Sequence, residues 1–197
     1  MGEGSPRMSI ASAEKPFRPA LFCDRDGTLI AEVPDPLRGV RACYRPQEVR
    51  LLPGVRDLQQ FCLDKGWPLV VISNQQDVGR ADLSRERFSL VHERFVAELC
   101  VPEVCECYFR YCFHLESDGC YCRKPRPGMI LEAAQELNLD LQRSYMIGNR
   151  LSDVQAGDSA GCRSILLNAV VRRFGSYPVV PDLRGAVELL ERLEGAE

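Results

Sequence analysis

Apolar and polar positions fall into blocks of two kinds along the chain. Short continuous apolar runs occur at "PALFCDRD" (19–26), "WPLVVISN" (67–74), "SYMIGN" (144–149) and "CRSILLN" (162–168). A fifth run, "VCECYFRYCF" (104–113), mixes Val, Tyr and Phe with cysteines. Runs of this length suit strands buried on both faces of a parallel sheet. Between them the apolar period lengthens to that of a helix. One helix is predicted over 52–66, with Val55, Leu58, Phe61 and Cys62 at helical spacing and a stop at Gly66. A second, over 82–100, puts Phe88, Val91, Phe95 and Leu99 on one face. Further helices are predicted over 126–139, 151–161 and 181–195. Pro127 sits near the first turn of the third, where a missing N–H costs little, and Asp182 is placed to cap the last. The alternation predicts an α/β fold: a doubly wound, Rossmann-like parallel sheet with helices on both faces and no large cap domain. One domain over 18–197 is expected from a chain of 197 residues. The stretch 30–53 is too long for a tight turn and is expected to form a small flap over the strand ends.

Composition narrows the partners. A net charge of −3 gives no electrostatic reason to expect nucleic acid. No apolar run is long enough to span a bilayer. The opening "MGEGSPRMSIASAEKPF" lacks the apolar stretch of a signal peptide and reads as a flexible leader over 1–17, with Met8 as an alternative start. A cytoplasmic monomer without nucleic-acid or membrane partners is therefore expected. Ten cysteines then point to metal ligands and buried thiols rather than disulfides.

In a doubly wound sheet the site lies beyond the carboxyl ends of the strands. The first strand ends in Asp24-Arg25-Asp26-Gly27-Thr28 and the second in Ser73-Asn74-Gln75-Gln76. The third leads to a Cys/His loop and Arg123-Lys124, and the fourth to Gly148-Asn149-Arg150 with Asp153 beyond. Carboxylates, a hydroxyl, amides and cations in one crevice suit phosphate chemistry with a hard divalent metal.

Taken together, "DRDGT", "SNQ", "CRKPRPG" and "IGNRLSDVQAGDSAG" resemble the four motifs of the haloacid-dehalogenase-like phosphatases. The resemblance spans about residues 19 to 170 and is nearest to the branch of heptose bisphosphate and histidinol phosphate phosphatases. It implies that Asp24 attacks phosphorus and that Asp26 protonates the leaving oxygen and then activates water. It implies that Ser73 and Lys124 hold the transferring oxygens. Mg²⁺ would sit at Asp24, the Asp26 carbonyl and Asn149, with Asp153 as further support. Arg25, Asn74, Gln75, Gln76, Arg123 and Arg150 are the expected substrate contacts, and a small phosphorylated sugar, a heptose bisphosphate, is the expected substrate. Asn149 stands where the family carries Asp, so its amide ligates without charge. Arg150 stands where the bisphosphate enzymes carry Lys. These departures keep a weakened or inactive scaffold that binds rather than turns over as the alternative, beside histidinol phosphate as the other substrate.

The loop before Arg123 carries its own signal. Cys112, His114, Cys120 and Cys122 follow the spacing Cys-x-His-x5-Cys-x-Cys, a closed structural zinc set. Cys105 and Cys107 either compete as ligands or pack in the core, and a metal-free loop is the other reading. His92 lies within an amphipathic helix and reads as structural.

Overall fold

Residue alternation along the strands decides the layering. The protein, described here as a computed structural model, is defined over residues 17–100, 106–168, 170 and 174–195. The leader expected before residue 17 and Cys105 lie outside these residues. In chain order the elements are β1 (Leu21–Cys23), β2 (Val33–Asp35), β3 (Gly39–Arg41), α1 (Val55–Lys65), β4 (Leu69–Asn74), α2 (Gln76–Gly79) and α3 (Arg85–Leu99). Then follow β5 (Cys107–Cys112), α4 (Gly128–Leu137), β6 (Tyr145–Gly148), α5 (Leu151–Ala160), β7 (Arg163–Leu167), β8 (Val179–Val180) and α6 (Leu183–Glu194).

Six strands form one sheet in the order β5-β4-β1-β6-β7-β8, and every pairing in it is parallel. Leu21, Cys23, Leu69, Val71, Tyr145, Ile147 and Ile165 face one way and pack with residues of α1, α3 and α6. Phe22, Val70, Ile72 and Met146 face the other way and pack with α4 and α5. A period of two in each strand thus feeds two cores, which is why the strands read as continuously apolar. The doubly wound expectation is met. Gly157 in α5 shows how closely a helix lies on the sheet: a Cβ there would come within 2.5 Å of Met146 Cβ and Ser164 Oγ.

β8, α2 and the two short strands of the flap add detail to the expected set. β8 is two residues long, and its "VV" is too short to signal a strand. α2 is a four-residue helix that begins at Gln76, beyond the end of β4, where no helix was predicted. The flap is an antiparallel β2–β3 hairpin. Its return is pinned by Glu48, whose carboxylate accepts from Arg41 at 2.9 and 3.0 Å and from the Tyr44 N–H at 2.8 Å. The Asp182 cap is as expected: its side chain accepts from Gly185 N at 3.0 Å.

Because the chain runs from β1 out to β4 and β5 and then returns to β6 on the other side, the topology switches at β1. The crevice at that switch, above the carboxyl ends of β4, β1 and β6, is where a ligand belongs.

Candidate active site

A cleft of about 630 Å³ opens at that switch point. Asp24, Asp26, Ser73 and Lys124 line it together, although Asp24 and Lys124 are 100 residues apart in sequence. Asp24 follows β1 directly, Ser73 is near the end of β4, and Lys124 arrives on the loop after β5. All four are buried polar residues.

Lys124 is held from three sides. Its Nζ donates to Asp24 Oδ1 at 2.7 Å and to the Ile72 carbonyl at 2.9 Å, and it pairs with Asp153 Oδ1 at 2.7 Å. Its backbone is clamped as well. Asn74 Nδ2 donates to the Lys124 carbonyl at 3.0 Å, and the Lys124 N–H donates to Asn74 Oδ1 at 3.1 Å. Burial pushes the Asp24 carboxyl up to about 6, against the pull of Lys124. Burial alone would lower the Lys124 ammonium, but Asp153 and Asp24 raise it above its ordinary value. The ammonium is therefore a fixed positive charge in a buried corner, where such charges act more strongly on an anion than in bulk water.

Several residues expected to face substrate have different immediate partners. Arg25 has no exposure and does not line the cleft. Its guanidinium lies on Asp26 and Gln75 instead, so it sits beneath the site, a correction to its expected position on the cleft surface. The Asn74 side chain borders the cleft but is committed to the Lys124 backbone. Gln75 donates to Asp26 Oδ2 at 2.7 Å and to Ser73 Oγ at 2.9 Å. Gln76 accepts from Arg123 at 2.8 Å, and both line the cleft. Arg150 is a cleft residue paired with Glu32 at 2.5 Å.

Asn149 follows β6 as expected, but it borders a smaller neighbouring depression rather than the main cleft. Thr28 Oγ1 donates to its Oδ1 at 3.4 Å. Gly27 (φ 78°) makes room for it, since a Cβ there would come 2.2 Å from Asn149 Nδ2. Asp153 uses both oxygens internally, one on Lys124 and one accepting the Arg150 N–H at 2.9 Å. Asp24, Asp26 and the Asn149 amide, which approaches the turn at Gly27, offer hard oxygen donors of the type that suits Mg²⁺.

The flap adds residues the sequence reading did not single out. Glu32, Arg38 and Arg41 line the cleft from β2–β3 and its approach, and Arg80 lines it from beyond α2. Arg38 is paired with Asp82 at 2.8 Å and Asp77 at 3.6 Å. Arg38 and Arg41 were signalled only as basic residues in the segment expected to fold over the strand ends, and Glu32 and Arg80 carried no signal of their own.

The Cys/His loop closes as the spacing suggests. Cys112, His114, Cys120 and Cys122 bring their ligand atoms within 4.8 Å of one another. Cys122 Sγ lies 3.4 Å from Cys112 Sγ, 3.4 Å from Cys120 Sγ and 3.3 Å from His114 Nδ1. Cys112 Sγ is 3.7 Å from Cys120 Sγ. Zinc–sulfur bonds of about 2.3 Å require tetrahedral edges of roughly 3.7 Å, so the four atoms fit that ion. Cys107 is outside this group and packs against the core. His92 is half-buried among aromatic rings, its Nδ1 3.0 Å from the Tyr111 hydroxyl.

Comparison with known proteins agrees with this arrangement. A family model described as HAD-hydrolase-like matches residues 121–172. The D-glycero-beta-D-manno-heptose-1,7-bisphosphate 7-phosphatase of Mesorhizobium japonicum is 36% identical, over 90% of this chain and 86% of that protein. The enzyme of the same name from Escherichia coli K12 is 30% identical, over 86% of each chain. Among solved structures, a putative HAD-like phosphatase from Mesorhizobium loti superposes with a TM-score of 0.77 at 30% identity, covering 92% of this chain and 88% of that one. The D,D-heptose 1,7-bisphosphate phosphatase of B. bronchiseptica, complexed with magnesium and phosphate, gives 0.74 at 26% identity, over 88% and 99%. The chain belongs to the haloacid-dehalogenase-like hydrolases. Within them it is a phosphatase, a phosphoric monoester hydrolase of the kind represented by those heptose bisphosphate relatives.

Proposed function

We propose that the protein removes one phosphoryl group from a sugar bisphosphate, D-glycero-D-manno-heptose 1,7-bisphosphate, through an aspartyl-phosphate on Asp24. The observation that carries this reading is the convergence of Asp24, Asp26, Ser73 and Lys124 in one buried corner of a cleft rich in arginine. Lys124 holds Asp24 by Oδ1, which orients the carboxylate and offsets its charge when an anionic phosphoryl group approaches. The Ser73 hydroxyl and the Lys124 ammonium bind the equatorial oxygens as charge spreads over them. Asp26 gives a proton to the departing sugar oxygen and afterwards takes one from the water that attacks the Asp24 phosphoryl group. Asp24, the Asp26 carbonyl and Asn149 would hold Mg²⁺, which would supply positive charge between the two anions. Arg123, Arg150 and the flap arginines suit the second phosphoryl group.

Zinc at Cys112, His114, Cys120 and Cys122 has a structural role in this reading. Bound there it would fix the loop that carries Arg123 and Lys124, and a set of four protein ligands would leave no position for reacting water.

Phosphate release from the heptose bisphosphate, histidinol phosphate and other sugar phosphates, measured with added Mg²⁺, tests the proposal. The bisphosphate is expected to have the highest kcat/KM. Faster turnover of histidinol phosphate would replace the substrate. No release from any ester, with none gained on Asn149→Asp, would establish the site as a binding scaffold.

A further inference from the structure

Arg25 is among the largest fully buried side chains of the described residues, and its charge lies against Asp26. Its Nε donates to Asp26 Oδ2 at 3.2 Å, and one terminal nitrogen donates to Oδ1 at 3.1 Å. That same nitrogen donates to Gln75 Oε1 at 2.9 Å. Gln75 Nε2 closes the ring on Asp26 Oδ2 at 2.7 Å and also reaches Ser73 Oγ at 2.9 Å. Behind the guanidinium stand the rings of Phe88 and Tyr111, with centroids 5.5 and 5.7 Å from Arg25 Cζ. The other terminal nitrogen, Nη1, is buried with no hydrogen-bond partner.

Stability does not account for this arrangement. An apolar side chain of similar volume in such a place is often neutral or better for stability than a buried ion pair. An unpaired buried N–H adds a further cost. The expense falls on a group that touches Asp26 and, through Gln75, Ser73.

We propose that Arg25 and Gln75 are positioning residues that lock the carboxylate of Asp26 and select the oxygen through which it exchanges protons. The inference rests on the acid–base role of Asp26. Oδ2 accepts from both Arg25 Nε and Gln75 Nε2, so two donors occupy it. Oδ1 accepts one hydrogen bond, at 3.1 Å from the terminal nitrogen of Arg25 that also lies 3.0 Å from Oδ2, and keeps room for a proton. In the first step an Asp24 oxygen bonds to phosphorus, the P–O bond to the sugar breaks, and the proton on Oδ1 passes to the departing ester oxygen. In the second, Oδ1 takes a proton from water as the water oxygen bonds to phosphorus and the Asp24 ester bond breaks. The Tyr111 hydroxyl is itself tied to His92 Nδ1 at 3.0 Å, so the aromatic wall behind the guanidinium is braced too.

The test compares leaving groups. An alkyl phosphate, such as a sugar phosphate, needs its departing oxygen protonated, whereas p-nitrophenolate leaves unaided. Arg25→Lys replaces the fork by a point charge that cannot hold both oxygens. It is expected to lower kcat on the alkyl ester by about 10- to 100-fold, part of what a general acid contributes. On p-nitrophenyl phosphate kcat/KM, which reports the first step and not the second step that both esters share, is expected to stay within about threefold. Gln75→Met also releases Ser73 Oγ, so it should show the same selectivity on top of a loss common to both esters, and circular dichroism with thermal melting checks that each variant is folded. Asp26→Asn is the reference. If it shows no leaving-group selectivity, the acid–base reading of Asp26 fails. If Asp26→Asn is selective but folded Arg25→Lys and Gln75→Met slow both esters equally, or neither, the positioning proposal is overturned. It is also overturned if both variants fail to fold, which would make the trio a structural element.

Discussion

Single residues at this site are constrained by what surrounds them more than by their own chemistry. Asp24 shows this. Burial raises its carboxyl to about 6 while Lys124 pulls it down, so the group is desolvated and held ionised by one neighbour. Desolvation of this kind favours reaction with phosphorus and costs stability. Asp24→Asn is therefore expected to lower phosphate release by about 10³-fold or more. Its melting temperature should match or exceed that of the wild type, because Lys124 keeps Asp153 as a partner. A large drop in melting temperature would show that the Asp24–Lys124 pair holds the fold together. Asn74 carries a related lesson. Its amide binds the Lys124 backbone on both sides, so a residue picked out as a substrate contact serves to place the ammonium. Nothing in "SNQ" distinguishes these tasks, since both use the same donor and acceptor.

At the scale of elements, the flap depends on one carboxylate. Glu48 receives Arg41 and the backbone N–H groups of Tyr44 and Arg45. Its carboxyl is held down to about 2 from 4.5, chiefly by the Arg41 hydrogen bond. A folded-state value below the unfolded one contributes stability that is complete above the unfolded value. That contribution is lost as pH falls from about 4.5 toward about 2. Glu48→Gln is expected to be less stable than wild type in denaturant at about pH 7, with the gap narrowing at about pH 3. An unchanged gap would mean that Glu48 ionisation does not hold the flap. The hairpin itself was legible only as a segment of suitable length. Its strands are three residues each, too short for a periodic signal. The long helices were legible because their apolar faces repeat over several turns.

Across the whole molecule, two separate structures meet at Lys124. One is the sheet, which brings Asp24 and Ser73 to neighbouring strand ends. The other is the Cys/His loop, which follows β5 and delivers Arg123 and Lys124. If zinc closes that loop, its removal should be felt at the active site without any ligand touching substrate. Stripping the protein with a chelator and restoring Mg²⁺ alone is expected to lower both the melting temperature and kcat. Adding zinc should recover both, and Cys120→Ser should resemble the stripped protein. Elemental analysis of untreated protein should find about one zinc per chain. A wild type with no zinc and full activity would make the loop self-supporting.

Among the described residues, no helix is long and apolar enough to cross a membrane. The sequence alone determined the layered α/β fold, the order of its main strands and helices, and the spacing that gathers three cysteines and a histidine. These depend on local periodicity and on residues close together in the chain, so they survive without coordinates. The tertiary structure alone decided which way each polar side chain turned. Arg25 went beneath the cleft, Asn149 faced Thr28, and Arg38, Arg41 and Arg80 came to line the opening. Each outcome depends on partners supplied by distant segments. For a buried polar group the available partner, not its own type, sets its orientation, because an unmade hydrogen bond there is costly.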